Sequence, residues 1–234
     1  MASTRLPGKV LRPILGRPML ERIIERLGRA QCVDQIVVAT TVNRADDPIA
    51  ELARTLGVAY YRGSEEDVLD RVLQAARSTD ATTIVEITGD SPLVDPGVID
   101  TIFTAYCSRG VDYASNTLKL TYPLGVNAQV FAVAVLEEVA SLTTDPADRE
   151  HVSLYIYEHP ERYSLCNVDS GLAAHYAGLR LTVDTPEDFA LAEAIYQELY
   201  PANPAFALAD VLKLLDARPA LADMNRHVVQ KRAR

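Results

Sequence analysis

The feature that most constrains the fold is an alternation of short β-branched runs with longer segments of helical periodicity over the first half of the chain. The runs predict strands at residues 35–41 (QIVVATT), 58–63 (VAYYRG) and 82–90 (TTIVEITGD), and the segments predict helices at 18–29, 47–56, 65–77 and from Pro96 onward. Strands that alternate with helices of this length pair in parallel as βαβ units. The pattern therefore predicts an α/β protein.

The alternation loosens after residue 110. Strands are predicted at 111–116, 127–136, 162–168 and 178–184, and helices near 134–142, 146–158, 186–199 and 208–216. The predicted architecture is a three-layer α/β/α domain with a mixed, mostly parallel sheet. We assign residues 1–225 to this single domain and residues 226–234 to a basic C-terminal tail.

Charge is unevenly distributed along the 234 residues, whose net charge is −9. Residues 1–30 nevertheless carry seven basic side chains against two acidic ones. A local basic site in an acidic protein favours a small polyanion and argues against a nucleic-acid polymer. No apolar run is long enough to span a membrane, and the three cysteines lack metal or redox spacing. We expect a cytoplasmic protein.

The segment STRLPGK near the start of the chain combines groups that bind phosphate. Ser3 supplies a hydroxyl, Arg5 a guanidinium fork and Lys9 an ammonium, in a turn built on Pro7 and Gly8. The spacing is not that of a P-loop. Two interpretations stay open at this point: a triphosphate-binding loop, or an ordinary basic turn.

Two aspartates follow predicted strands and are candidate metal ligands. Asp90 follows Gly89 after the strand at 82–90, and Asp184 ends the strand predicted at 178–184. Carboxylates at the ends of parallel strands suit Mg²⁺, although aspartate is also common in turns. Thr185 and Asp188 form a capping-box pattern at the next helix, which gives Asp188 a structural explanation.

Residues 145–152 (DPADREHV) form a third candidate segment. Asp145 and Pro146 indicate a helix start, so Arg149, Glu150 and His151 are either a solvated first turn or substrate contacts. His151 could also transfer a proton, because histidine titrates near neutrality.

Seven linked motifs resemble one known family. They are STRLPGKVL, VVATT, RGSEEDVLDR, TGDSPLVDP, DYASNT, REHV and RLTVDTPEDF, in that order. The sequence resembles the cytidylyltransferase-like family of spore-coat polysaccharide biosynthesis protein F, which is related to the CMP-sialic acid and CMP-Kdo synthetases. The resemblance covers residues 1 to about 225.

The resemblance implies a nucleotide-diphospho-sugar transferase (Rossmann-like) fold and a Mg²⁺-dependent nucleotidyltransferase of polysaccharide biosynthesis. CMP would pass from CTP to a sugar or sugar acid, with release of pyrophosphate. The implied roles are catalysis by Arg5, Lys9, Asp90 and Asp184, with the two aspartates holding Mg²⁺; nucleotide binding by Ser3, Arg5, Lys9, Asp67 and Arg71; and acceptor binding by Tyr113, Asn116, Arg149, Glu150 and His151. Dimers are usual among the relatives, which makes a homodimer one possible state, and the sequence leaves the oligomeric state open.

The chain departs from the family at its start. Members have a hydrophobic strand and the residues QAR ahead of the phrase that corresponds to STRLPGK, whereas here Met1 and Ala2 stand directly before it. Such a strand would lie centrally in the sheet, and burying four or five of its side chains contributes roughly 6–15 kcal/mol. The resemblance therefore leaves two interpretations: the natural protein begins upstream, which is our hypothesis, or this chain is a compromised version of the fold.

Two other functions fit the same fold class. A glycosyltransferase would use a nucleotide-sugar donor, but the DxD metal signature common in such enzymes is not evident in the sequence. A non-catalytic subunit of a polysaccharide-assembly complex would bind a partner without turnover. Nucleotidyl transfer is the favoured hypothesis, and the sequence leaves the acceptor sugar and the base preference open.

Overall fold

A mixed β-sheet in two parts runs through the computed structural model, which describes residues 5–230. The strands are β1 (Pro13–Ile14), β2 (Arg17–Pro18), β3 (Val37–Thr41), β4 (Ala59–Gly63), β5 (Thr83–Glu86), β6 (Tyr113–Ser115), β7 (Gln129–Ala132) and β8 (Leu165–Asn167). The helices are α1 (Met19–Leu27), α2 (Asp47–Thr55), α3 (Val68–Arg77), α4 (Pro96–Arg109), α5 (Val133–Leu142), α6 (Pro146–Glu150), α7 (Leu154–Glu158), α8 (Pro186–Leu199), α9 (Leu208–Ala217) and α10 (Pro219–Asp223). None of the helices in this part of the chain has the length and apolar character needed to cross a bilayer.

The larger part of the sheet has four strands in the order β5-β7-β6-β8. Strand β7 runs antiparallel to β5 and β6, whereas β6 and β8 are parallel. The register aligns two rows of side chains on opposite faces: Ile84, Phe131, Tyr113 and Leu165 form one row, and Val85, Val130, Ala114 and Cys166 form the other. The first row packs into a core with α3, α5 and α7, and the second into a core with α1, α4, α8 and α9. The three-layer α/β/α architecture is confirmed.

The smaller part of the sheet is the parallel pair β3–β4, joined through α2 as a βαβ unit. Among the described strands, β3 pairs only with β4, and β5 pairs only with β7. A cavity of about 690 Å³ separates the two parts and is lined by β3, β5, α1 and α3. We call it the strand slot.

The mixed character of the predicted sheet is confirmed. Its antiparallel strand is β7, which follows β6 through a loop without a crossover helix and can return antiparallel. One predicted strand is wrong. No strand forms at residues 178–184, where Leu124 and Arg180 make one isolated bridge. The amide of Val183 donates instead to the carbonyl of Asp90 at 2.8 Å. This segment links two loops and adds no strand to the sheet.

The helix predicted at residues 146–158 is two short helices. Between α6 and α7, His151 has φ −107° and ψ 59°, which is not a helical conformation. Helix α10 is an addition that the sequence pattern did not predict. The other predicted helices form with bounds that differ from the prediction by a few residues.

Candidate active site

Lys9 joins the two aspartates that the sequence singled out. Its ammonium lies 2.8 Å from Asp184 Oδ1 and 3.3 Å from Asp90 Oδ2, and it donates to the carbonyl of Val183 at 2.7 Å. The side chains of Lys9 and Asp184 are each 14 % exposed. The structure therefore brings Lys9, Asp90 and Asp184 together at one place, and their catalytic roles stay predictions.

Local backbone structure places each of the three groups. Gly8 has φ +68°, and this left-handed conformation favours glycine and starts the 3₁₀ turn Lys9–Leu11. Asp90 follows β5, and its Oδ1 accepts a 2.6 Å hydrogen bond from Thr88. The Asp90 carbonyl accepts from the hydroxyl of Thr182 at 3.1 Å as well as from the amide of Val183. Main-chain bonds thus bring the two carboxylate-bearing loops together.

Asp184 is surrounded by three cationic side chains. Besides Lys9, Arg5 lies 3.1 Å and Arg180 2.6 Å from its Oδ2. Burial alone would raise the pKa of Asp184, but the hydrogen bonds and charges of Lys9, Arg180 and Arg5 outweigh it and lower this pKa below its ordinary value. Asp184 is therefore an anion at neutral pH, set in a concentration of positive charge.

Arg180 is a member of this site that the sequence analysis missed. Its Nε lies 2.9 Å from Asp188 Oδ1, and its Nη1 donates to Gln230. Asp188 is fully buried as a side chain, and Asn225 also donates to it at 2.7 Å. The i, i+4 spacing of Arg180 and Asp184 was the available signal, but spacing of this kind is informative only on a helix, and the segment is not one.

A second polar cluster contains the predicted nucleotide and acceptor residues Asp67, Arg71 and Arg149. Asp67 caps α3 by accepting from the amide of Asp70 at 2.9 Å, and Arg149 donates to its other carboxylate oxygen. Burial would raise the pKa of Asp67, but these bonds lower it. Arg71 donates to the carbonyl of Ser64 and borders the strand slot. Asp67 and Arg149 therefore form one unit, although they are 82 positions apart.

The remaining predicted acceptor residues lie in different environments. Tyr113 is fully buried, and its hydroxyl donates to Gln129. Asn116 is also fully buried: it donates to the carbonyl of Val126 at 3.0 Å and accepts from the amide of Ala128 at 3.1 Å. Both side chains thus have structural partners. Glu150 is exposed and His151 half-buried at the end of α6. Ser3 lies outside the described residues, and the roles of all these groups stay predictions.

The carboxylate pair offers the oxygen donors that Mg²⁺ prefers. Lys9 contacts both Asp90 and Asp184, so the two carboxylates are close enough to share one cation. Mg²⁺ is commonly held by one or two carboxylates together with substrate phosphates. Within residues 5–230, no group of three or more histidine, cysteine or acidic side chains forms a metal cluster. Asp90 and Asp184 are therefore the residues that would hold such an ion.

Comparison with known proteins decides the family. A family model described as Cytidylyltransferase matches residues 1–204. This chain belongs to the cytidylyltransferase family. Arg5, Lys9, Asp90 and Asp184 all fall within the matched range.

Two related proteins and one solved structure show how similar this chain is to known members of the family. Spore coat polysaccharide biosynthesis protein SpsF of Bacillus subtilis is 33 % identical, over 95 % of this chain and 93 % of its own length. The 3-deoxy-manno-octulosonate cytidylyltransferase of Geobacter metallireducens is 40 % identical over 42 % of this chain and 38 % of its own. The solved structure of a cytidylyltransferase from Leptospira borgpetersenii is 28 % identical, with a TM-score of 0.89, covering 99 % of this chain and 95 % of that one.

Proposed function

We propose that this chain transfers CMP from CTP to a hydroxyl of a sugar or sugar acid, releases pyrophosphate, and serves in the biosynthesis of a polysaccharide. The observation that carries the proposal is the convergence of Lys9, Arg5, Asp90 and Asp184 at the carboxyl end of β5. In open α/β sheets, ligands bind beyond the carboxyl ends of the strands. Cationic side chains beside a carboxylate pair are what a transfer at a phosphate needs.

The proposed reaction is an in-line displacement at the α-phosphorus. The oxygen of the acceptor hydroxyl forms a bond to the α-phosphorus and gives up its proton to solvent. The bond between the α-phosphorus and the oxygen that bridges to the β-phosphate breaks, and this oxygen leaves with the pyrophosphate. Lys9 and Arg5 bind the triphosphate and neutralise the charge that grows on the departing pyrophosphate. Their partial burial makes this neutralisation stronger than it would be in water.

Asp90 and Asp184 would hold Mg²⁺ in this reaction. When bound, the ion supplies Lewis-acid polarisation of the phosphate oxygens. Arg180 holds Asp184 in place, because it also contacts the buried Asp188. Thr88 does the same for Asp90 through its 2.6 Å hydrogen bond.

The unit of Asp67 and Arg149 is proposed to bind the nucleoside and the acceptor. Asp67 stands at the start of α3, beyond the end of β4, and Arg149 belongs to α6. A guanidinium in this position would pair with the carboxylate of a sugar acid. Because CTP is the proposed donor, we place the reaction in the cytoplasm.

A pyrophosphate-release panel tests the function. Four ribonucleoside triphosphates are crossed with Kdo, a nonulosonic acid and a neutral hexose, each with Mg²⁺ and with EDTA. We expect release with CTP and a sugar acid, and none with EDTA. The variant Arg218→Met should release pyrophosphate at the rate of the parent, because Arg218 is exposed at the C-terminal end of α9. The proposal would be overturned if no combination of nucleotide and acceptor released pyrophosphate from protein that circular dichroism shows to be folded. Turnover of a nucleotide-sugar would support glycosyl transfer instead.

A further inference from the structure

The ammonium of Lys9, which is proposed to bind the triphosphate, is fully hydrogen-bonded within the protein. It lies 2.7 Å from the carbonyl of Val183, 2.8 Å from Asp184 Oδ1 and 3.3 Å from Asp90 Oδ2. An ammonium has three N–H donors, so these three acceptors use all of them. A triphosphate can therefore accept a hydrogen bond from Lys9 only after at least one of these contacts is released.

The same contacts cover the two carboxylate oxygens that the protein leaves for a metal. Asp90 Oδ1 accepts from Thr88 at 2.6 Å, and Asp184 Oδ2 accepts from Arg180 at 2.6 Å. The other oxygen of each carboxylate, Asp90 Oδ2 and Asp184 Oδ1, faces Lys9. One oxygen of each pair is thus fixed by a neighbouring side chain, and its partner oxygen is bound by the ammonium.

The charges of this site already offset one another. Its ion pairs join three cationic side chains to three carboxylates, namely Arg5, Lys9 and Arg180 to Asp90, Asp184 and Asp188. A divalent cation that entered alone would add uncompensated positive charge to a partly buried site, where charges interact more strongly than in water. A divalent cation that arrives with a triphosphate brings a net negative charge, which the cationic side chains can meet.

The contact with Asp90 is the one most easily released. It is the longest of the three contacts of Lys9, and the Asp90 side chain is 27 % exposed, whereas that of Asp184 is 14 % exposed. Asp184 has other partners besides Lys9: it pairs with Arg180, and its amide donates to Asp188 at 2.9 Å. Asp184 therefore stays in place when the ammonium moves.

We propose that the Lys9 ammonium occupies the cation position between Asp90 and Asp184 until a triphosphate binds, and that Lys9 then moves onto the triphosphate and leaves both carboxylates to the divalent cation. Lys9 is in this way an internal competitor of the metal. The site takes up the metal together with the triphosphate and excludes it otherwise. Because the triphosphate and the metal are those of the proposed function, this exchange rests on that function.

Binding of Mn²⁺ without nucleotide tests the exchange. Mn²⁺ is the probe, because electron paramagnetic resonance measures its free concentration directly. We expect Lys9→Met in the full chain to bind Mn²⁺ at least tenfold more tightly than the parent, since the two carboxylate oxygens are no longer paired. Lys119→Met, which removes a charge from an exposed loop, should leave the Kd unchanged. Unchanged or weaker binding by Lys9→Met, in protein that circular dichroism shows to be folded, would overturn the proposal.

Two further variants separate occupation of the cation position from a general loss of positive charge. Arg5→Met removes a charge that lies 3.1 Å from the other oxygen of Asp184, so it should raise the affinity for Mn²⁺ less than threefold. Combining Lys9→Met with Asp184→Asn should remove the gain, because one of the two oxygens then belongs to an uncharged amide. An equal gain with Arg5→Met, or a gain that survives Asp184→Asn, would assign the effect to charge alone and refute the exchange.

Inorganic tripolyphosphate tests the second half of the exchange without a base or an acceptor. Water proton relaxation detects Mn²⁺ that is bound to the protein together with the polyphosphate. We expect tripolyphosphate to tighten Mn²⁺ binding by the parent at least tenfold. In Lys9→Met this factor should be at least threefold smaller, because no ammonium has to leave the carboxylates. Equal factors in the two proteins would overturn the exchange.

Failure of the proposed function gives a different pattern of results. If no pair of substrates releases pyrophosphate, yet Lys9→Met gains Mn²⁺ affinity and tripolyphosphate tightens Mn²⁺ binding by the parent, the exchange stands and the transfer reaction is wrong. Pyrophosphate release together with unchanged Mn²⁺ affinity in Lys9→Met would instead leave the transfer in place and overturn the exchange.

Discussion

The ammonium of Lys9 lies 2.8 Å from a carboxylate oxygen of Asp184, although the two residues are 175 positions apart in the chain. The same ammonium contacts Asp90, which follows β5. A single side chain in the first ten residues thus connects the loop after β5 to the loop before α8. This contact is the centre of the candidate active site, and the predictions below begin from it.

Asp90→Asn and Asp184→Asn should each abolish most of the proposed transfer. An amide keeps the size of the side chain but removes the negative charge that a metal requires, and losses of about 10²–10³-fold in kcat are typical when a charge-stabilising group is removed. Pyrophosphate release measures the loss, and circular dichroism checks the fold. Glu187→Gln is the matched control, since Glu187 is an exposed acid in the first turn of α8. Activity within threefold of the parent would contradict the metal assignment.

Lys9→Met should weaken CTP binding more than it destabilises the fold. Methionine keeps much of the apolar stem and removes the charge that meets the triphosphate. We expect the KM for CTP to rise about tenfold or more, which corresponds to about 1.4 kcal/mol of lost binding. Steady-state kinetics measures the KM for CTP. Lys119→Met is the control, because Lys119 is exposed on a loop. An unchanged KM would place the triphosphate elsewhere.

Arg180→Met should destabilise the protein by about 3 kcal/mol or more. The arginine is 7 % exposed and pairs with Asp188, whose side chain has no exposed surface, so its removal leaves a buried charge with fewer partners. Urea denaturation measures the free energy of unfolding. Arg218→Met breaks an ion pair in which both side chains are exposed, and should cost less than about 1 kcal/mol. Equal effects of the two variants would refute this ranking.

Asp67→Asn should lower the free energy of unfolding at neutral pH, and this difference from the parent should shrink in acid. Asparagine still caps α3, so the change removes chiefly the ion pair with Arg149, worth about 1 kcal/mol or less. The pKa of Asp67 is lowered in the folded state, so its contribution is present above the ordinary pKa of 3.8 and declines as the pH falls below it.

The measurement for Asp67 is a pair of urea titrations at pH 7 and at pH 3. The gap in unfolding free energy between the parent and Asp67→Asn should narrow at the lower pH. A gap that stays constant or widens on acidification would contradict the stated direction of the pKa.

Gly125→Ala should destabilise the chain by more than about 3 kcal/mol. Gly125 has φ +104°, and a Cβ there would lie 2.3 Å from the amide nitrogen of Thr182. The Thr182 hydroxyl donates to the Asp90 carbonyl, so the clash would also disturb the loops of the candidate active site. Gly178→Ala is the control, because its Cβ would meet nothing within 4 Å. Thermal unfolding of the two variants separates them, and similar melting temperatures would count against the close approach.

Features that depend on neighbouring residues were predictable from the sequence. Asp95 caps α4 by accepting from the amide of Val98, and Thr185 and Asp188 form the predicted capping box at α8. The parallel unit of β3 and β4 follows from the strand–helix–strand pattern. Each of these features depends on a few consecutive residues or on the spacing of apolar residues along one segment, and both can be read from a single sequence.

Features that depend on distant pairing were not predictable in the same way. The direction of β7 is set by the strands it lies between, and no local pattern distinguishes its two orientations. The role of Arg180 required the contact with Gln230, 50 positions away, as well as those with Asp184 and Asp188. Asp67 and Arg149 were singled out for separate halves of the site, and only their spatial contact shows that they act as one unit.

The hydrogen bond from Arg180 to Gln230 has a practical consequence for work with this protein. Arg180 contacts the candidate metal ligand Asp184 with one side of its guanidinium and the C-terminal segment with the other. An affinity tag or fluorescent protein fused directly after residue 234 would be separated from Gln230 by only four residues. Because Gln230 contacts the arginine that pairs with a candidate catalytic carboxylate, a fusion made for kinetic measurements should include a spacer at this end.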